Sequence, residues 1–131
     1  MYNHHLIDIE FESEDPCKEM EMFRGTLLDL CKESGVTVMN EYFHQFKEHG
    51  QGFTGVVCLA ESHVSIHTWP EYKKMAVDIF ICNLEQEKLF LDLFKEAFSF
   101  QTYRFNTIQR LRNYTNINHN SKKFPCGNLM V

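Results

Sequence analysis

Residues 53–82, FTGVVCLAESHVSIHTWPEYKKMAVDIFIC, contain three apolar runs rich in β-branched residues, and their reading decides the fold. FTGVVCLAE (53–61), HVSIHTW (63–69) and MAVDIFIC (75–82) each read as a strand. Almost nothing separates the first two, so residues 61 and 62 must form a local distortion. PEYKK separates the last two and reads as a turn. Side chains alternate faces along a strand, so His63, Ser65, His67 and Trp69 share one side of the second run. Val64, Ile66 and Thr68 share the other, which is the apolar and therefore core-facing side.

The flanking segments complete the pattern. Ile7, Ile9 and Phe11 alternate with Asp8 and Glu10, which predicts a strand ending near Glu12. Asp15 and Pro16 offer an N-cap and a first-turn proline for a helix in which Met20, Phe23, Leu27, Leu30 and Cys31 recur at helical spacing until Gly35. VTVMNEYFHQF (36–46) reads as a strand, and KEHGQG (47–52) as the loop of a hairpin. Leu84, Leu89, Phe90, Leu93, Phe94, Ala97 and Phe98 predict a second helix over 84–98, and TYRFNTIQRLR (102–112) a last strand. The expected fold is α+β: a two-layer sandwich of one mostly antiparallel sheet with two helices packed on one face. One domain over 1–112 and a polar, asparagine-rich C-terminal tail over 113–131 are expected.

Composition narrows the function classes. A net charge of −5 argues against a broad nucleic-acid-binding face, leaving only a local cluster of Arg104, Arg110 and Arg112. Five widely spaced cysteines (Cys17, Cys31, Cys58, Cys82, Cys126) suggest neither a disulfide framework nor a CxxC metal site, and fit a reducing cytosol. No apolar run is long enough to span a membrane, and the first residues lack the basic and apolar regions of a secretory leader.

Taken singly, the reactive residues carry little. His63 and His67 have a spacing that converges on a helix, but on a straight strand they stand ~13 Å apart, so no metal site is expected. Ser62 lacks a G-x-S-x-G elbow and an evident acid to orient a histidine, which leaves a hydrolase as a minor alternative. His67 alone reads as a hydrogen-bonded sheet histidine, Cys82 as a core thiol and Ser62 as a turn residue.

Together they form a pattern. AESHVSIHTWPEY followed by AVDIFIC resembles the prokaryotic type of S-adenosylmethionine decarboxylase, a pyruvoyl-dependent family in which an E-S-H-x-x-I-H-T-W-P-E block precedes a D-x-F-x-C block. YFHQF, TGVV and, more faintly, HHLIDIEF extend the resemblance over roughly residues 4 to 112. It implies that the proenzyme cuts itself between Glu61 and Ser62: the Ser62 hydroxyl attacks the preceding carbonyl, and the ester then undergoes β-elimination. Ser62 would become a pyruvoyl group, the self-generated cofactor that forms a Schiff base with the substrate amine and accepts the electrons left by carbon dioxide.

By the same resemblance His67 matches the proton acceptor in processing, Thr54 a supporting hydroxyl and Cys82 the proton donor in decarboxylation. Glu71 matches the carboxylate that holds the ribose of S-adenosylmethionine, and Phe46 an aromatic at the adenine. Lys73 and Lys74 replace a common Gly-Tyr pair and are expected to bring two cations beside Glu71. The implied protein is a cytoplasmic homodimer with a small-molecule substrate, supplying the aminopropyl donor for spermidine. Relatives that decarboxylate arginine or ornithine, and a non-catalytic regulatory relative, are the alternatives.

Overall fold

The computed structural model describes residues 2–48, 50–99 and 101–111. Six strands form one sheet in the order β2-β3-β4-β5-β1-β6, with every neighbouring pair antiparallel. They are β1 (Tyr2–Glu10), β2 (Val38–Gln45), β3 (Phe53–Leu59), β4 (Ser62–Trp69), β5 (Lys74–Phe80) and β6 (Thr102–Arg110). The helices are α1 (Met20–Ser34) and α2 (Leu84–Ala97), and short 3-10 helices span Asp15–Cys17 and Pro70–Tyr72. The expected α+β sandwich is therefore what the chain adopts. The expected tail over 113–131 lies outside the described residues.

Alternation along the strands sorts the two faces of the sheet. Ile7 and Ile9 of β1, Phe53 and Val57 of β3, Val64 and Ile66 of β4, and Val77 and Ile79 of β5 are buried. They meet Phe23, Leu27 and Leu30 of α1 and Phe90 and Phe94 of α2 in one apolar cluster. The opposite face runs in rows set by the pairing register. One row is Tyr42, Val56, Ser65, Asp78, Leu6 and Asn106; the next toward the β3–β4 turn is Asn40, Cys58, His63, Phe80, His4 and Ile108.

Several boundaries fall a residue or two inside the sequence reading, the third run pairing only to Phe80 rather than to Cys82 and the last strand only to Arg110, and two others are set by tertiary contacts. The first strand stops at Glu10, because Phe11 turns out of the ladder while its N–H still bonds the Lys73 carbonyl at 2.9 Å. Asp15 and Pro16 open the 3-10 helix rather than α1. Fully buried Cys17 is the reason: its carbonyl accepts from Thr68 Oγ1 at 2.7 Å, which ties this turn to the end of β4 before the chain can start α1 at Met20.

Gly55 of β3 sits beneath the Phe43 ring of β2. A Cβ there would come within 2.2 Å of Phe43 Cε2, so the ring occupies the space a side chain would need. Gly55→Ala is expected to push Phe43 aside and destabilise the fold by about 1–3 kcal/mol, the usual cost of overpacking. Chemical denaturation of the two proteins measures it; equal stabilities would refute this account of the glycine.

Candidate active site

The β3–β4 connection is only Ala60 and Glu61, since Leu59 and Ser62 already pair across the ladder. To close so tight a hairpin, Glu61 takes φ 61°, a left-handed conformation that a residue with a Cβ adopts at a cost of about 1–2 kcal/mol. This is the distortion required between the two runs, and it lies on the residue whose carbonyl precedes Ser62.

A second element reaches that carbonyl. The chain leaves β5 at Phe80, passes buried Ile81 and presents Cys82, whose Sγ donates to the Glu61 carbonyl oxygen at 2.7 Å. A donor on this oxygen withdraws electron density from the carbonyl carbon and stabilises negative charge that builds during attack. Burial first, then the nearby carboxylates of Glu61 and Glu87, push the Cys82 thiol above its ordinary pKa, which keeps the proton on sulfur at neutral pH. Ser62 Oγ donates to the Ala60 carbonyl at 3.3 Å. Glu61 and Ser62 line a cavity of about 380 Å³ with His63, Phe80 and Arg110. His63 stacks on Phe80 with ring centroids 5.9 Å apart.

The other candidate residues gather at the far end of β4. Thr54 of β3 lies opposite His67, and Thr54 Oγ1 and His67 Nδ1 are 3.0 Å apart. Both line a cleft of about 730 Å³ together with Phe46, Glu71, His44 and Trp69. Trp69 tilts against His67 at 6.2 Å between centroids, and His44 meets Phe46 edge-on at 4.9 Å, so the cleft is walled by aromatic rings. Glu71 sits in the 3-10 helix after β4, with Gly50 close by: a Cβ at Gly50 would lie 2.8 Å from Glu71 Oε2.

The expected residues thus fall into two groups. Glu61, Ser62 and Cys82 meet at one end of β4, while Thr54, His67, Phe46 and Glu71 meet at the other. Ser62 and His67 are five residues apart on one strand, roughly 16 Å at the rise of extended chain, beyond the reach of direct proton transfer. His63 and His67 likewise open into different cavities. Lys73 and Lys74 are not among the residues lining the cleft: Lys74 pairs across the ladders with Trp69 and Glu10, and among the described residues Lys47 is the lysine that lines it. His44 and Trp69 line the cleft as well, although the sequence reading gives them no site role; Trp69 lies two positions from His67 on β4 and so on the same side, and His44 lies two positions before Phe46 at the end of β2.

Comparison with known proteins gives four findings. A family model described as S-adenosylmethionine decarboxylase matches residues 3–111. The chain is 36% identical over 109 residues to the S-adenosylmethionine decarboxylase proenzyme of Archaeoglobus fulgidus, covering 82% of this chain and 95% of that protein. It is 40% identical over 79 residues to the proenzyme of the same name from Thermodesulfovibrio yellowstonii, where the match spans 57% of the relative's length. The crystal structure of the adenosylmethionine decarboxylase from Aquifex aeolicus superposes with a TM-score of 0.70 at 26% identity, covering 87% of this chain and 98% of that one.

Proposed function

The chain belongs to the S-adenosylmethionine decarboxylase family, and from that membership we propose that it is a self-processing decarboxylase of S-adenosylmethionine, contributing the aminopropyl donor for polyamine synthesis. The observation that carries the reading is the geometry at Glu61: a strained left-handed residue whose carbonyl oxygen is held by the Cys82 thiol, directly before a serine.

In processing, Ser62 Oγ turns from the Ala60 carbonyl to the Glu61 carbonyl carbon, and the amide becomes an ester as the Ser62 nitrogen is released. Cys82 polarises the carbonyl during attack. Loss of the Ser62 α-proton then breaks the ester by β-elimination, leaving a carboxylate on Glu61 and a dehydroalanine whose hydrolysis releases ammonia and leaves a pyruvoyl group. Residues 61, 62 and 82 fit that group, because the reacting serine lies at a cavity and beside a protonated thiol. Once formed, the pyruvoyl group supplies the electron sink for decarboxylation. Cys82, retained as a neutral acid, delivers a proton to the product carbon. Phe46 and Trp69 offer ring faces to adenine and the sulfonium, and Glu71 accepts from the ribose hydroxyls. An aromatic cleft with a carboxylate suits an adenosyl substrate better than arginine or ornithine.

The separation of Ser62 from His67 supports a homodimer in which the site is completed by a second copy. A two-fold axis crossing β4 near Ser65 would lay two outer sheet faces together and bring His67, Thr54, Phe46 and Glu71 of one chain to Ser62 and Cys82 of the other. That face carries exposed Tyr42, Val56, Trp69 and Ile108. His67 then takes the Ser62 α-proton across the interface, oriented by Thr54. Cys17, Cys31, Cys58 and Cys82 are all free, which suits a cytosolic protein; among the described residues no helix is long and apolar enough to cross a membrane.

Denaturing mass spectrometry tests the reading. The purified protein should resolve into chains of residues 1–61 and 62–131, the second bearing a pyruvoyl mass, and should release carbon dioxide from S-adenosylmethionine. A chain that stays whole would refute self-processing; release from arginine or ornithine alone would refute the substrate.

A further inference from the structure

Cys82 leads directly into the first turn of α2, and that turn contains a buried carboxylate which the chemistry above does not use. Glu87 is only 6% exposed. Its Oε1 accepts from Asn3 Nδ2 at 3.2 Å and lies 3.4 Å from His5 Nε2, both on β1. His5, itself 4% exposed, is held from its other side, where Nδ1 and Thr107 Oγ1 of β6 are 2.9 Å apart. Glu87 Oε2 and His5 Nε2 are both buried with no hydrogen-bond partner among the described residues, so His5 meets Glu87 at ion-pair distance and Asn3 supplies the hydrogen bond. Burying a carboxylate so incompletely paired is costly, and an apolar residue at this position would pack without that cost.

The location explains what the carboxylate does. Asn83, next to Cys82, caps α2 by accepting from Gln86 N at 3.0 Å, and the Glu87 N–H bonds the Asn83 carbonyl at 2.8 Å. Glu87 is therefore the point at which this capped turn is pinned to the sheet, one helical turn from the thiol. We propose that Glu87, anchored by Asn3 and His5, is a positioning residue for Cys82 that keeps its Sγ on the Glu61 carbonyl oxygen. This rests on the processing role given to Cys82 above. The charged groups facing the thiol are Glu61 from the β3–β4 turn and Glu87 from α2, with His5 of β1 behind Glu87; both carboxylates, added to burial, favour the protonated thiol.

Two readouts test it. In a Ser62→Ala chain, which is expected to stay whole, alkylation of Cys82 by iodoacetamide is followed against pH, with peptide mapping to separate it from the other cysteines. Adding Glu87→Gln, which keeps size and hydrogen-bond acceptor but removes the charge, is expected to lower the midpoint toward that of an ordinary thiol. With Ser62 present, Glu87→Ala is expected to slow cleavage at Glu61–Ser62 by ~10-fold or more, as small misplacements of a reacting group do. Should Glu87→Ala not fold, Asn3→Ala, which removes one anchoring hydrogen bond, replaces it. An unchanged midpoint in Glu87→Gln, or wild-type cleavage in the anchor variant, overturns the proposal. A wild-type chain that is never cut would sink the processing reading instead, and the midpoint comparison would still judge Glu87.

Discussion

A Ser62→Ala chain is expected to remain one uncut species of 15.6 kDa with no decarboxylase activity. Cleavage needs an oxygen nucleophile one residue beyond the scissile carbonyl, within the same chain, where attack closes a small ring. Alanine removes that oxygen and changes little else, since among the described residues the Ser62 side chain makes only the 3.3 Å bond to the Ala60 carbonyl. The left-handed Glu61 and the Cys82 hydrogen bond would both persist, so the strained and polarised carbonyl would be present without an attacker. The effect is complete loss rather than a slowed rate, because neither strain nor polarisation breaks an amide by itself. Intact-mass spectrometry after prolonged incubation reads it directly; a nick at residue 61 in the alanine chain would mean that another nucleophile does the cutting.

The second large effect concerns which chain supplies His67. A His67→Ala chain is expected to cleave ~10²–10⁴-fold more slowly, the range lost when a general base is removed. Co-expression with a Ser62→Ala chain should restore it. In a mixed dimer one site combines the Ser62 of the first chain with the His67 of the second, and so contains both groups. The Ser62→Ala chain cannot be cut, so every cleaved molecule must come from the His67→Ala partner, which a small mass tag identifies. If His67 acted within its own chain, no mixture could rescue it, because the chain with the serine would always lack the base. The distance along β4 makes this outcome the expected one: five extended residues hold Ser62 and His67 apart whatever their rotamers.

Much of the scaffold was readable from local pattern. The period-two alternation in Ile7, Ile9 and in Val64, Ile66 assigns the buried face of each strand without reference to any partner, because the pleat alone decides it. The tight link between the runs before Glu61 and after Ser62 likewise demanded a distorted turn, and Glu61 supplies it at φ 61°. Asp15 and Pro16 misled because a helix-start signal is local, whereas burial of Cys17 against the end of β4 is not; the contact closed a 3-10 turn and moved the start of α1 to Met20. Lys73 and Lys74 misled in the same way: although adjacent in sequence to Glu71, neither lines the cleft that Glu71 lines, since the chain turns there into β5.

The site divides along the same line. That Ser62, His67 and Cys82 are the candidates for chemistry could be read from residue types and spacing within one family pattern. That Cys82 touches the Glu61 carbonyl, that His67 faces a different cavity from Ser62, and that Glu87 is buried against Asn3 and His5 could not. These contacts join residues 21, 84 and 82 positions apart, through sheet order and helix docking. Alternation and capping act over a few residues and are written into the local sequence; who meets whom across the sheet depends on the register and packing of the whole core, and only the folded chain decides it.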